Sequence, residues 1–134
     1  KNPRIALAGL NPHASEGGLF GSEESDILIP FVTSFSYQNQ TLLGPFSPDT
    51  VYYRALKGDF DLVISLYHDQ GLIPLKLVAF DHAVNLTLGL PFVRTSPDHG
   101  TAYQLVGKKI AKFTSLLNCF KFVNKIYKNR NKIA

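Results

Sequence analysis

His68 and Asp69 stand side by side where an apolar run, residues 61–65 (DLVIS), gives way to the polar sequence YHDQG. A histidine there offers an imidazole to a metal or a proton, and a neighbouring carboxylate can orient it. His13 holds the matching place after a second apolar run, residues 4–10 (RIALAGL). Neither histidine belongs to a short metal-binding spacing, and either one alone reads as a structural or surface residue. Two of them following strand-like runs can meet at one sheet edge and share a site. Further on, Lys76, Asn85 and Arg94 each interrupt apolar sequence. Such a density of polar residues suits a small anionic substrate.

The elements that must position these residues alternate between strand and helix. Residues 4–10 and 61–65 are short, apolar and read as buried strands. The loop NPHASEGGLFGSEES follows the first, with Gly17, Gly18 and Gly21 keeping it free of side-chain bulk. A glycine-rich loop entering a helix is a common anion site, but Glu23 and Glu24 in the first turn oppose a bare phosphate. The spacing matches neither familiar nucleotide fingerprint. Ser22 is the expected N-cap of a helix over 23–35, broken or kinked at Pro30. A short strand at 41–43 leads through GPFSPDT to a helix over 50–56, capped by Ser47 or Asp49. After HDQG, residues 72–80 read as a helix with Pro74 in its first turn. Residues 83–88 and 90–95 read as extended runs, and 101–106 as a helix capped by Asp98 or His99. His82 and His99 read as loop residues. The last helix, 110–128, is expected to pack Phe113, Leu116, Leu117, Phe120, Val123 and Tyr127, with Cys119 at or near the core. The pattern predicts a single domain over 1–134, a layered α/β/α domain with a parallel or mixed sheet.

Composition bounds the function. The 134 residues suffice for a proper core, and 45% hydrophobic with 18% charged residues is ordinary for a soluble globular chain. No apolar run approaches a membrane span, and no signal-peptide pattern opens the sequence. One cysteine excludes an internal disulfide framework and fits a reducing cytoplasm. The chain has no methionine and starts with lysine, so the natural start is expected to be missing. The net charge of +4 is uneven: residues 108–134 hold eight basic and no acidic side chains. With Lys121, Lys125 and Lys128 on one helical face and no aromatic-interleaved surface, the tail reads as a solvated helix face rather than a nucleic-acid site.

The stretches LNPHASEGGLFGSEE, GPFSPDT, YHDQGLIPLK and VNLTLGLPFVRTSPDHGTA, in this order and at this spacing, resemble 4-hydroxythreonine-4-phosphate dehydrogenase of pyridoxal phosphate biosynthesis. The resemblance runs from about Arg4 to Gly107, and the last helix matches only in character. It covers the C-terminal part of the family enzyme, which implies one lobe of a two-lobed fold like that of isocitrate and isopropylmalate dehydrogenases. By this resemblance His13 and His68 match two of three histidine ligands of a divalent metal (zinc, magnesium or cobalt), the third having no counterpart here. Lys76, Asn85 and Arg94 match substrate-binding positions, and Asp49 and Asp69 match acidic cleft residues that are the candidate catalytic carboxylates.

The family further implies NAD or NADP as cofactor, without the usual dinucleotide fingerprint, and a homodimer acting on a small phosphorylated hydroxy-amino acid. No nucleic-acid or membrane partner is implied. Paralogues oxidising threonate or erythronate phosphate share the motifs, and an isolated lobe that only dimerises or binds anions is the non-enzymatic alternative. Where the family often has glycine-rich sequence before VN, this chain has DHAVN, leaving His82 without an assigned role.

Overall fold

The computed structural model describes residues 2–38 and 40–130. Residues 131–134, the end of the basic tail, and residues 1 and 39 lie outside the described residues. The chain falls into two compact units, Lys1–Pro74 and Leu75–Ala134.

The first unit is built on strand β1 (Arg4–Ala8), flanked in a parallel sheet by β2 (Thr41–Phe46) and β3 (Leu62–Ile64). A central parallel strand is covered on both faces, which is why RIALA is almost continuously apolar. Ile5 and Leu7, with Leu42, pack against Leu28, Val32 and Phe35 on one side. Ala6 and Ala8 turn the other way, to Val51 and Phe60 with Tyr52 and Ala55 around them. The partners on one face come from a π-helical turn, Glu24–Leu28, from α1 (Ile29–Ser34) and from Phe35 just after it; those on the other come from α2 (Pro48–Leu56) and from Phe60, which precedes β3. The α/β class and the parallel sheet expected from the sequence are present.

Several local expectations are corrected. The segment expected as a helix over 23–35 is helical over 23–34, but as a π-helical turn that passes into α1 just before Pro30. Ser22 is not its N-cap; Glu23 holds that position, without a side-chain cap bond. Helix α2 starts at Pro48 after Ser47, and neither Ser47 nor Asp49 caps it through a side chain, because their side chains bond to each other. Helix α3 (His68–Ala79) begins four residues earlier than expected and takes in HDQG, so Pro74 lies inside it.

The second unit contains an antiparallel hairpin, β4 (Val84–Thr87) with β5 (Arg94–Pro97), and helix α4 (Thr114–Arg130). The expected helix over 101–106 is a single 3-10 turn, Tyr103–Leu105, preceded by Ala102 and not capped by Asp98 or His99. Helix α4 starts at Thr114 instead of 110, and its buried residues are Ser115 and Cys119. Cys119 is therefore core, as expected. The apolar stripe at Phe113, Leu116, Leu117, Phe120 and Tyr127 is exposed, Phe113 by 73%. Two small side chains let the helix come close enough for the Ser115 hydroxyl to donate to the Ala83 carbonyl at 2.6 Å and accept the Asp98 N–H at 3.2 Å. No described helix is long and apolar enough to cross a membrane.

Candidate functional site

Strands β1 and β3 are adjacent and parallel, in the register Ile5↔Leu62 to Leu7↔Ile64, so both end at the same sheet edge. From that edge β1 runs into the segment carrying His13, and β3 runs through residues 65–67 into the first turn of α3, where His68 and Asp69 lie. The two histidines thus follow the same sheet edge, as the sequence predicted, and both are exposed. A residue without an expected role in the sequence holds the two strand ends together. Gln70 donates from Nε2 to the Gly9 carbonyl at 2.8 Å and accepts the Leu66 N–H at 2.9 Å. Ser65, at the end of β3, shares a 2.7 Å hydrogen bond with the Tyr52 hydroxyl of α2. Asp49, exposed in the first turn of α2, accepts a 2.6 Å hydrogen bond from the Ser47 hydroxyl. That bond holds its carboxyl below the usual range against the opposing effect of burial, and the charge of nearby His13 lowers it further.

The His13 segment has an unusual backbone. Residues Pro12–Gly18 form a tight helical loop in which His13, Ala14, Ser15, Glu16 and Gly17 have φ of 53°, 51°, 68°, 46° and 71°. This is a left-handed turn, and for a residue with a Cβ it costs about 1–2 kcal/mol each. Side-chain packing does little to offset that, since only Ser15 of the loop is buried. The compensating contact comes from Glu24, 2% exposed, on the π-helical turn. Its Oε1 accepts the Asn11 N–H at 2.7 Å, and its Oε2 accepts the Asn11 amide at 2.8 Å and the Ser15 hydroxyl. Burial alone would raise this carboxyl, but the Asn11 N–H, the Ser15 hydroxyl and the Asn11 amide hold it down at about 2. Gly9 is where loop and sheet come closest: a Cβ there would lie 3.0 Å from Ala14 Cα and 3.2 Å from Glu24 Oε1.

In the second unit, the hairpin register pairs Asn85 with Ser96 and Thr87 with Arg94. Side chains two apart on a strand share a face, so Asn85, Thr87, Arg94 and Ser96 make one polar face of the ribbon. Arg94, an exposed residue, donates to the Thr87 hydroxyl at 2.8 Å. Lys76, near the end of α3, is half-buried. Its ammonium lies 3.2 Å from both the Asp98 carbonyl and the buried Asp98 Oδ2, and 5.3 Å from the centre of the Phe80 ring. Lys76, Phe80, Asp98 and His99 border a cleft of about 540 Å³. His82 is exposed, and its carbonyl accepts from Asn118.

A catalytic zinc commonly takes three protein ligands and keeps one open position. Among the described residues no three histidine, cysteine or carboxylate side chains come together as a metal site. His13 and His68 alone do not complete one.

The profile of one protein family, the pyridoxal phosphate biosynthetic protein PdxA, matches residues 1–123. The chain belongs to the PdxA family. Among PdxA relatives, the 4-hydroxythreonine-4-phosphate dehydrogenase of Beijerinckia indica subsp. indica is 52% identical over 124 residues, which is 92% of this chain and 37% of that protein. The D-threonate 4-phosphate dehydrogenase of Salmonella typhimurium is 53% identical over 114 residues, covering 85% and 35%. The crystal structure of 4-hydroxythreonine-4-phosphate dehydrogenase from Klebsiella pneumoniae superposes with a TM-score of 0.74 at 47% identity, covering 88% of this chain and 36% of that one. This chain therefore spans little more than a third of the length of the PdxA relatives it matches.

Two buried groups at these places, Glu24 and Ser115, were not singled out for these roles by the sequence, nor was Gln70. Glu24 read as a dipole-complementing residue of a first turn. The signal that could have found it is the pairing of a polar NPHAS loop with the acidic pair Glu23 and Glu24 shortly before an apolar run.

Proposed function

We propose that this chain is part of an NAD(P)-dependent dehydrogenase that oxidises 4-hydroxythreonine 4-phosphate in pyridoxal phosphate biosynthesis. The observation that carries the reading is the PdxA match over residues 1–123, which contains every motif residue singled out above. In this reading Arg94 holds a carboxylate or phosphate oxygen pair through its planar fork, Lys76 adds a point charge, and Asn85 sets orientation. A bound nicotinamide would accept the C3 hydrogen as hydride, and the hydroxyl proton would pass to a base. Asp69 and Asp49 are the candidates for that base. The resulting β-keto acid loses carbon dioxide, the bonding pair passing toward the ketone oxygen, and protonation gives 3-amino-2-oxopropyl phosphate.

His13 and His68 are proposed as two ligands of a divalent cation whose remaining ligand lies outside the described residues. For the same reason the 134-residue chain alone is expected to be inactive. A homodimer and a cytoplasmic setting belong to this reading too.

A second reading, D-threonate 4-phosphate oxidation, is favoured by the 53% identity to the Salmonella enzyme. The two substrates differ at C2, amino against hydroxyl. Replacing the matching part of the Beijerinckia relative by residues 1–123, and following nicotinamide reduction with both substrates, tests both. Turnover of the amino acid phosphate supports the first reading, and turnover of threonate phosphate alone supports the second. A folded chimera that oxidises neither overturns both.

A further inference from the structure

We propose that Glu24 is a positioning residue, whose buried carboxylate holds the Pro12–Gly18 loop, and with it His13, in a left-handed turn the loop would not otherwise keep. The inference rests on the reading of His13 as a site residue only for its functional meaning; the structural claim stands on the loop itself.

Three observations converge on it. The first is the run of positive φ at His13, Ala14, Ser15 and Glu16, none of them glycine. A conformation so unfavourable locally persists only where its surroundings over-determine it. The second is how little of the loop is packed. Pro12, His13, Glu16, Gly17 and Gly18 are exposed, so burial of their side chains does not select the turn. The third is where the carboxylate bonds: to Asn11 just before the turn and to Ser15 in its middle. With both oxygens engaged, those contacts fix the loop on either side of His13. An imidazole held this way needs no rearrangement to meet a ligand, which is the advantage of preorganisation. The histidine ring makes a loose contact, 6.3 Å between centroids, with Phe20, and its charge acts on the exposed Asp49. Its position is set by the backbone, and the backbone by Glu24.

The test uses the 134-residue chain and two loop readouts. Coupling constants and chemical shifts of isotopically labelled protein report positive φ at residues 13–16, and an endoproteinase that cuts after glutamate reports access at Glu16. Glu24→Gln keeps the size but replaces one accepting oxygen by a donor. It should abolish the positive-φ signature and speed cleavage after Glu16 by about tenfold, as expected when a local opening becomes easier. The amide shifts of residues 5–7 should stay put, which a merely structural role of Glu24 would not allow. A Glu24→Gln chain that keeps both the signature and the protection overturns the proposal, as does an unmutated chain without the signature. Should Glu24→Gln fail to fold, Ser15→Ala, which leaves the carboxylate in place and removes one donor, decides. Faster cleavage after Glu16 then supports the proposal and unchanged cleavage overturns it. Cobalt(II) added to the unmutated chain probes the site reading separately. If it leaves the His13 ring signals unbroadened, the metal-ligand role of His13 loses support, while the positioning of the loop by Glu24 is still decided by φ and cleavage.

Discussion

The Gln70 amide donates to the Gly9 carbonyl at 2.8 Å, joining the first turn of α3 to the end of β1, while its oxygen accepts the Leu66 N–H. One side chain thus ties together the two strand ends from which the His13 and His68 segments depart. Gln70→Leu is comparable in size but leaves a carbonyl and an N–H without their partner. Because water can reach the freed groups, a loss of about 0.5–1.5 kcal/mol is expected, read from urea unfolding of the chain. Gln70→Glu should restore only the Leu66 contact and fall between the two.

Acid should loosen the first unit before it disrupts its hydrophobic core. Glu24 has a folded pKa of about 2 against an ordinary value of 4.5. A lowered carboxylate pKa contributes stability that is complete above the unfolded value and is lost as pH falls through the folded one. The expected window therefore lies between about pH 4.5 and 2. Unfolding free energies measured across it should fall steeply in the unmutated chain. In Glu24→Gln the slope should be shallower and the stability lower at neutral pH.

Gly9→Ala tests how closely the loop is seated on the sheet. Its Cβ would lie 3.0 Å from a backbone carbon of Ala14, which cannot rotate away. We expect about 1–3 kcal/mol of destabilisation from overpacking, with changed amide shifts in the Pro12–Gly18 loop. A neutral effect in both measurements would show that the loop has room to retreat.

Much of the first unit was legible in the sequence because its strands are short apolar runs whose neighbours cover both faces. Residues 4–8 and 62–64 announce themselves that way, and the polar switch after each marks the sheet edge. The start of α3 was not legible. Gly71 read as the end of a turn and Pro74 as a first-turn residue, yet a Cβ at Gly71 would lie 2.8 Å from Ser65 Oγ, so glycine there serves close packing against the residue that follows β3. Nor was the packed face of α4. Its periodicity favours the larger apolar side chains, whereas approach to the hairpin selects the small ones, Ser115 and Cys119. Glu24 escaped for a third reason: its partners lie in a left-handed turn that no local propensity predicts.

Ser115→Ala removes two of the hydrogen bonds that join α4 to the hairpin, while the bond from Asn118 to the His82 carbonyl stays. The Asp98 N–H and the Ala83 carbonyl would be left in a buried place. Amide exchange at Asp98 should quicken by about tenfold, the equivalent of 1.4 kcal/mol in a local opening. Unchanged exchange would mean that helix packing and the Asn118 bond hold the joint.

In the chimera proposed above, Arg94→Lys should raise KM for the phosphorylated substrate by roughly tenfold with a smaller effect on kcat, since the charge stays and the fork is lost. A fall in kcat with KM unchanged would give Arg94 another role.

The central place of β1 also has a consequence for how the chain acquires its fold. Its partners begin at Thr41 and Leu62, so neither neighbouring strand is near in sequence. Such non-local pairing slows folding, because long loops must close before any contact rewards them. During synthesis, at about 5–20 residues per second, the most buried strand of the unit is made seconds before the partner strands that will cover its edges. The segment is exposed to chaperones and to aggregation for that interval, and the last strand to arrive, β3, is the one that ends it.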